Sequence, residues 1–144
     1  MSTEENKKLV LRWKEEIWDK RNLNIIDELC APDYVGHIAG FPGPDQSRET
    51  LKQAFAAYFA AFDIHDTREF LIAEGDVVVI HDTYWAKHTG GFQGIPSTGK
   101  ETTFTGVDIY HIVDGKIVEQ WFEADTTGAL QRLGFLPTPG HSGR

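Results

Sequence analysis

Between Glu4 and Lys20 the apolar residues Leu9, Val10, Trp13 and Ile17 recur at three- and four-residue steps, the signature of one face of an amphipathic helix. Asn22-Leu23-Asn24 breaks the pattern, and Ile25, Ile26, Leu29 and Cys30 restart it as a shorter second helix. Pro32 is expected to stop that helix, because its ring cannot continue one. After a Gly- and Pro-rich loop from Gly36 to Pro44, the residues Leu51, Phe55, Tyr58, Phe59 and Phe62 form one stripe and predict a third helix.

Beyond His65 the period shortens to two. Thr67 to Ala73 reads as a strand, Glu74-Gly75-Asp76 as a tight turn, and Val77 as the start of a long strand running to His88. The segment from Thr89 to Gly99 is rich in glycine but lacks the spacing and the lysine of a nucleotide-binding loop, so it reads as a connector. Glu101 to Val113 and Lys116 to Glu123 flank Asp114-Gly115, a two-residue hairpin signal. Asp125 is placed to cap a last helix over Thr126 to Leu133, with Gly134 as its stop. Helices followed by consecutive antiparallel strands imply an α+β fold with the helices on one face of a curved antiparallel sheet. The expected organisation is one domain over residues 1–134 and a loosely held tail over 135–144.

Composition narrows the function classes. A chain of 144 residues can bury a real core without staples. Its net charge of −8, with no basic cluster, argues against a nucleic-acid partner. No apolar run approaches the roughly 18–20 residues of a membrane span, and the polar N-terminus MSTEENKKLVLRW lacks a signal-peptide core. One cysteine, Cys30, leaves no intramolecular disulfide, so a reducing cytoplasm is the expected setting. No two histidines share an element at ligand spacing, and His81 and His88 fall on opposite faces of a regular strand; no metal is expected. Aromatics make up 12% of the chain, which suits either a packed core or a rigid apolar cavity.

Strand alternation sorts the candidate chemistry. Phe104, Gly106, Asp108 and Tyr110 share one face, and Thr105, Val107, Ile109 and His111 the other. In the last strand Val118, Gln120, Phe122 and Ala124 oppose Glu119, Trp121 and Glu123. Parity alone leaves open which set faces inward. An acid among aromatics is the arrangement that proton abstraction beside a carbonyl requires, because an apolar wall raises a carboxyl's pKa toward neutrality.

Several of these pieces occur together in a known family. Ala31-Pro32-Asp33-Tyr34 with His37, the loop Gly94-Ile95-Pro96-Ser97-Thr98-Gly99, and the run from Asp108-Ile109-Tyr110 to Trp121 resemble the SnoaL-like polyketide cyclases. That family is part of the cone-shaped α+β superfamily of nuclear transport factor 2, ketosteroid isomerase and scytalone dehydratase, and the resemblance runs from about Leu9 to Gly134. It implies a pocket at the mouth of the cone for an apolar small molecule, proton-transfer chemistry without metal or organic cofactor, and a homodimer paired through the sheet. It also places the Asp108 and Gln120 sets in the pocket.

On that basis Asp108 is the expected acid–base group and His37 its partner, with Gln120 or a tyrosine as donor to an oxyanion. Trp13, Tyr34, Tyr58, Phe59, Phe62, His81, Trp85, Phe104 and Phe122 are the expected lining. One departure stands out: relatives commonly carry histidine at the position of Gln120 and the catalytic aspartate at that of Phe122, which cannot move a proton. The expected function is a cofactor-independent enzyme of polyketide-cyclase type acting on a small apolar carbonyl compound. The alternative is a non-catalytic carrier of a hydrophobic ligand. Epoxide hydrolysis would need an Asp-Arg-Asp set in the cavity, for which Arg68 is the one candidate arginine.

Overall fold

The computed structural model describes residues 2–41, 43 and 45–137. Helix α1 (Thr3–Lys14) starts on a capping box in which the Ser2 hydroxyl accepts from the Glu5 N–H and Glu5 accepts from the Ser2 N–H, both at 3.1 Å. A π-helical turn over Glu15–Asp19 carries the helix on, so that Val10, Trp13, Lys14 and Ile17 form a continuous buried stripe. Helix α2 (Ile25–Leu29) ends one residue earlier than the pattern suggests, because Cys30 is already extended.

From there the chain enters strand β1 (Cys30–Ile38), an element the hydrophobic pattern did not reveal. It lies at the sheet edge and pairs in parallel with a strand more than 80 residues away in sequence. Pro32 sits where the register is irregular, between Cys30↔Ile117 and Val35↔Glu119, so its missing N–H breaks no regular ladder.

Helix α3 (Arg48–Ala61) is capped by Ser47 and Thr50 and buries Leu51, Phe55 and Ala61. Phe62 belongs to the next strand instead of the helical stripe: β2 (Phe62–Glu74) begins five residues before the expected start and pairs along the whole of β3 (Val77–His88). β4 (Glu101–Val113) and β5 (Lys116–Ala124) join through Asp114 and Gly115, both at positive φ (50° and 75°), as a type I′ hairpin demands. Helix α4 (Thr126–Arg132) is capped by the Asp125 carboxylate, which accepts from the Gly128 N–H at 3.0 Å.

The order β1-β5-β4-β3-β2 makes an open, mixed sheet, in place of the wholly antiparallel one expected. Alternate residues of β3 (Val78, Ile80, Asp82, Tyr84, Ala86, His88) are buried on the face that the helices cover. Two apolar clusters share that face: one around Trp13, Ile17, Ile26, Leu51, Ile80 and Ile117, the other around Phe62, Ile64, Tyr84, Ala86 and Leu133. Phe135 packs against Phe62, His88 and Phe92, which extends the packed structure past the boundary expected at Gly134. Positions 138–144 of the expected tail lie outside the described residues. Among the described residues no helix is long and apolar enough to cross a membrane.

Candidate functional site

Where the two clusters meet, the helices and the sheet enclose a cavity of about 130 Å³. Helix α1 and its π turn contribute Trp13 and Trp18, α3 contributes Phe55, Tyr58 and Phe59, and α4 contributes Ala129 and Leu133. The sheet adds Phe62, Ile64, Tyr84, Phe104, Asp108, Tyr110, Gln120 and Phe122, and loops add Phe41 and Phe92. Strand parity delivers these residues, with one local exception in β5. The register shifts there, from Ile112↔Ile117 to His111↔Glu119, so that Ile117 and Gln120 are both buried and Val118 takes up the slip.

Gly106 lets the Phe122 ring lie across β4. A Cβ at that glycine would stand 2.7 Å from Phe122 Cε1 and 3.1 Å from Tyr84 Cε2. Tyr84 meets Phe122 edge-on at 6.0 Å and stacks on Phe104 at 5.1 Å.

Beneath this aromatic wall lies a buried ion cluster. Lys14 is fully buried; its Nζ pairs closely with Asp82 Oδ2, donates to Tyr84 Oη at 3.1 Å, and lies 3.5 Å from Asp66 Oδ2 and 3.8 Å from Asp108 Oδ2. The ammonium also faces the Trp18 ring at 4.8 Å. Arg68 reaches Asp66 at 3.1 Å and Asp19 at 2.9 Å, tying the cluster to the surface. On the other side, Gln120 Nε2 donates to Asp108 Oδ1 at 2.9 Å, and Tyr34 Oη donates to Gln120 Oε1 at 2.7 Å.

The electrostatics follow from burial. Burial pushes the Asp108 carboxyl up, while Lys14 and the Gln120 hydrogen bond pull it back. Asp82 is pushed up to about 6 by burial, again against Lys14. For Asp66 burial is the largest single influence and acts upward, but Lys14, a hydrogen bond with Asp82 and Arg68 together hold it below the ordinary carboxylate range. Tyr84 and Tyr110 are driven far above their usual range by burial and stay phenols. Lys14 is shared among the three carboxyls Asp66, Asp82 and Asp108, and Arg68 is shared between Asp66 and Asp19, so the buried carboxyls outnumber the cations that face them.

The structure divides the expected site residues into two groups. Trp13, Tyr58, Phe59, Phe62, Phe104, Gln120 and Phe122 line the cavity with Asp108. Tyr34 stands behind Gln120, as its hydrogen-bond donor. His37 is not brought to Asp108: β1 pairs Gly36 with Gln120 and His37 with Trp121, which places the imidazole on the opposite face. There Nδ1 meets Asp45 at 2.8 Å, Nε2 meets Glu119 at 2.7 Å, and the ring stacks on Trp121. His81 and Trp85 occupy the outward positions of β3, with His81 bonded to Glu69 at 2.9 Å and Trp85 to Glu101 at 2.9 Å. Arg68 does not line the cavity, so no Asp-Arg-Asp set is assembled in it.

Lys14, Asp66, Asp82, Tyr84 and Trp18 were missed by sequence reasoning. Lys14 lies four residues after Val10 on the stripe Val10, Trp13, Lys14, Ile17, and Asp82 falls between Ile80 and Tyr84 on the buried parity of β3, so periodicity alone marks both as inward. Among the described residues no three His, Cys, Asp or Glu side chains are grouped to hold a metal ion. The positive charges among the aspartates are those of Lys14 and Arg68. Burial pushes the Cys30 thiol up to about 12, which suits a packing role.

An acid placed in this way is positioned to exchange a proton with a molecule in the cavity, whose walls are largely aromatic. The sequence profile of the SnoaL-like polyketide cyclases matches residues 8–133. Among solved structures, AclR of Streptomyces galilaeus, for which a hydroxylase role has been suggested, is 30% identical over 95% of this chain and 85% of its own, with a TM-score of 0.81. A suggested polyketide cyclase of Acidithiobacillus ferrooxidans is 29% identical over 92% of this chain and 97% of its own, with a TM-score of 0.78. IdmH of Streptomyces antibioticus, also a suggested polyketide cyclase, is 28% identical over 89% and 98%, with a TM-score of 0.75. No curated protein matches the chain.

Proposed function

The chain belongs to the SnoaL-like polyketide cyclase family, and on that premise we propose that it is a cofactor-independent enzyme moving protons on a small apolar carbonyl compound, with Asp108 as the acid–base group. The observation that carries this reading is that Asp108 is the one carboxyl among the described residues lining the cavity. It lies 3.8 Å from the buried Lys14 ammonium.

In this reading the ionised Asp108 takes a proton from the carbon next to the substrate carbonyl, and the electron pair moves onto the carbonyl oxygen as an enolate. Protonated Asp108 then returns the proton at another position, or the enolate carbon attacks a second carbonyl and the alkoxide so formed takes the proton back from Asp108. Gln120 fixes the carboxyl through one amide hydrogen and has a second available for the developing oxyanion. Lys14 takes the supporting role expected of His37, because its charge favours the ionised acid from within the core.

Asp108→Asn keeps the shape and removes the proton carrier. Turnover is expected to fall by about 10²–10⁴; an activity within about threefold of the parent would remove Asp108 from the mechanism. The carrier reading draws on Phe122 at the position where relatives hold an acid, and it requires a bound ligand to be recovered chemically unchanged.

We also propose that two copies pair through the uncovered face of the sheet. Phe70 and Ile72 are 63% and 61% exposed there, and Val77 and Val113 also stand out from that face.

A further inference from the structure

We infer that the cavity selects a neutral single-ring carbonyl compound, with the carbonyl at its Asp108 end, and rejects both carboxylates of the same size and fused-ring molecules. This rests on the proton-transfer reading of the same cavity and narrows its substrate.

Size is the first argument. The volume of about 130 Å³ is close to the roughly 150 Å³ of a cavity that admits benzene, and well below the roughly 300–1,000 Å³ of pockets for larger ligands. Phe122 limits it at one side. Its ring sits over Gly106 and against Tyr84, and it cannot swing toward β4 without displacing Tyr84. Tyr84 is itself held by its hydroxyl, which accepts from Lys14 at 3.1 Å and donates to Asp82 at 3.2 Å. The narrow side of the cavity is therefore fixed by the buried ion cluster.

Charge is the second argument. Among the described residues no lysine or arginine lines the cavity. The nearest cation, Lys14, is already shared among Asp66, Asp82 and Asp108. An entering carboxylate would lose its hydration and meet Asp108 with no counter-charge left to receive it. A neutral carbonyl oxygen instead accepts from Asp108 when that acid is protonated, and sets no charge against it when it is ionised.

The test is a calorimetric binding panel on the full chain at pH 7.5 with acetophenone, benzoate, benzylamine and 2-acetylnaphthalene. Acetophenone is expected to bind saturably, with the other three roughly tenfold or more weaker. Phe122→Ala is expected to raise affinity for 2-acetylnaphthalene by about tenfold or more while benzoate stays weak. Phe122→Leu should shift the same way to a smaller extent, and it serves if the alanine variant does not fold. The inference is overturned if the parent binds 2-acetylnaphthalene, benzoate or benzylamine as tightly as acetophenone, if acetophenone does not bind, or if neither Phe122 variant shifts the size preference. Turnover separates the two readings. A protein that keeps this binding order but tolerates Asp108→Asn loses only the proton-transfer reading; one that turns over fused-ring ketones and depends on Asp108 loses only the size selection.

Discussion

Replacing Lys14 by Met removes the ammonium and keeps an unbranched apolar chain of similar length against Trp18. The side chains of Lys14, Asp66 and Asp82 are at most 1% exposed, and that of Asp108 is 7% exposed, so water cannot take over the lost charge. Breaking a buried pair by deleting one partner costs about 3–5 kcal/mol. For a chain of this size that corresponds to a fall in Tm of roughly 10–20 °C.

The pH dependence carries the sharper information. A carboxyl whose pKa is raised on folding favours the fold below its unfolded value and weakens it as pH climbs through the folded one. For Asp82 that window runs from the ordinary 3.8 to about 6. Asp66 works in the opposite sense: its lowered pKa stabilises the fold above the ordinary value, and that contribution is lost as pH falls. Without Lys14 the Asp66 contribution shrinks, and Asp82 and Asp108 rise further. The loss should therefore be largest near pH 8 and smaller at pH 5, below the raised value of Asp82, by about 1–2 kcal/mol. Urea denaturation followed by circular dichroism at the two pH values reads both quantities. Equal losses at pH 5 and pH 8, or a loss below about 1 kcal/mol at pH 8, would refute a charge-compensating role for Lys14.

Two further outcomes follow from the opposite face of the sheet. His37 should titrate above its ordinary 6.5, because Glu119 and then Asp45 bond the charged ring, so the stability it lends is full below that value and fades as pH rises through the folded one. An NMR titration measures this shift, and His37→Gln should change turnover by less than about threefold, since a group facing away from the cavity gives up no proton to it. Phe70→Glu combined with Ile72→Glu should convert a dimer into a 16.2 kDa monomer in sedimentation equilibrium, whereas a parent that already sediments at 16.2 kDa excludes pairing through this face.

Much of the fold was legible because its signals are local. Capped helices, the Asp114-Gly115 hairpin and the period-two runs each depend on residues within a few positions of one another. β1 was not, because its partner β5 lies more than 80 residues downstream and runs parallel, which no short window contains. Parity also placed Asp108 and Gln120 beside the same aromatics once the inward set was chosen. It failed for His37 because the β1–β5 register, which decides which of Gly36 and His37 shares a face with Gln120, is not written in either strand alone. Lys14 and Asp82 were passed over for a different reason. Charged residues are seldom fully buried, so neither was singled out despite sitting on buried parity. What permits their burial is mutual pairing among positions 14, 66, 82 and 108, which only the folded chain brings together.

That pairing also explains how an acid can be useful at the bottom of an aromatic cavity. Burial alone would keep Asp108 protonated, able to donate a hydrogen bond but unable to accept a proton from carbon. Full exposure would leave it ionised and too weak a base for the task. Lys14 at 3.8 Å and the Gln120 amide at 2.9 Å oppose the burial effect without entering the cavity as a free cation. The competing carboxyls Asp66 and Asp82 keep Lys14 from neutralising Asp108 outright, because the same ammonium must serve all three. In the proposed mechanism it is this opposition, burial raising the carboxyl and Lys14 and Gln120 lowering it, that suits one group to both remove and return a proton. On the proposed function, the stability given up to bury these charges is tied to the proton transfer assigned to Asp108, and sequence rules that assume charges stay outside fail at the residues on which that function depends.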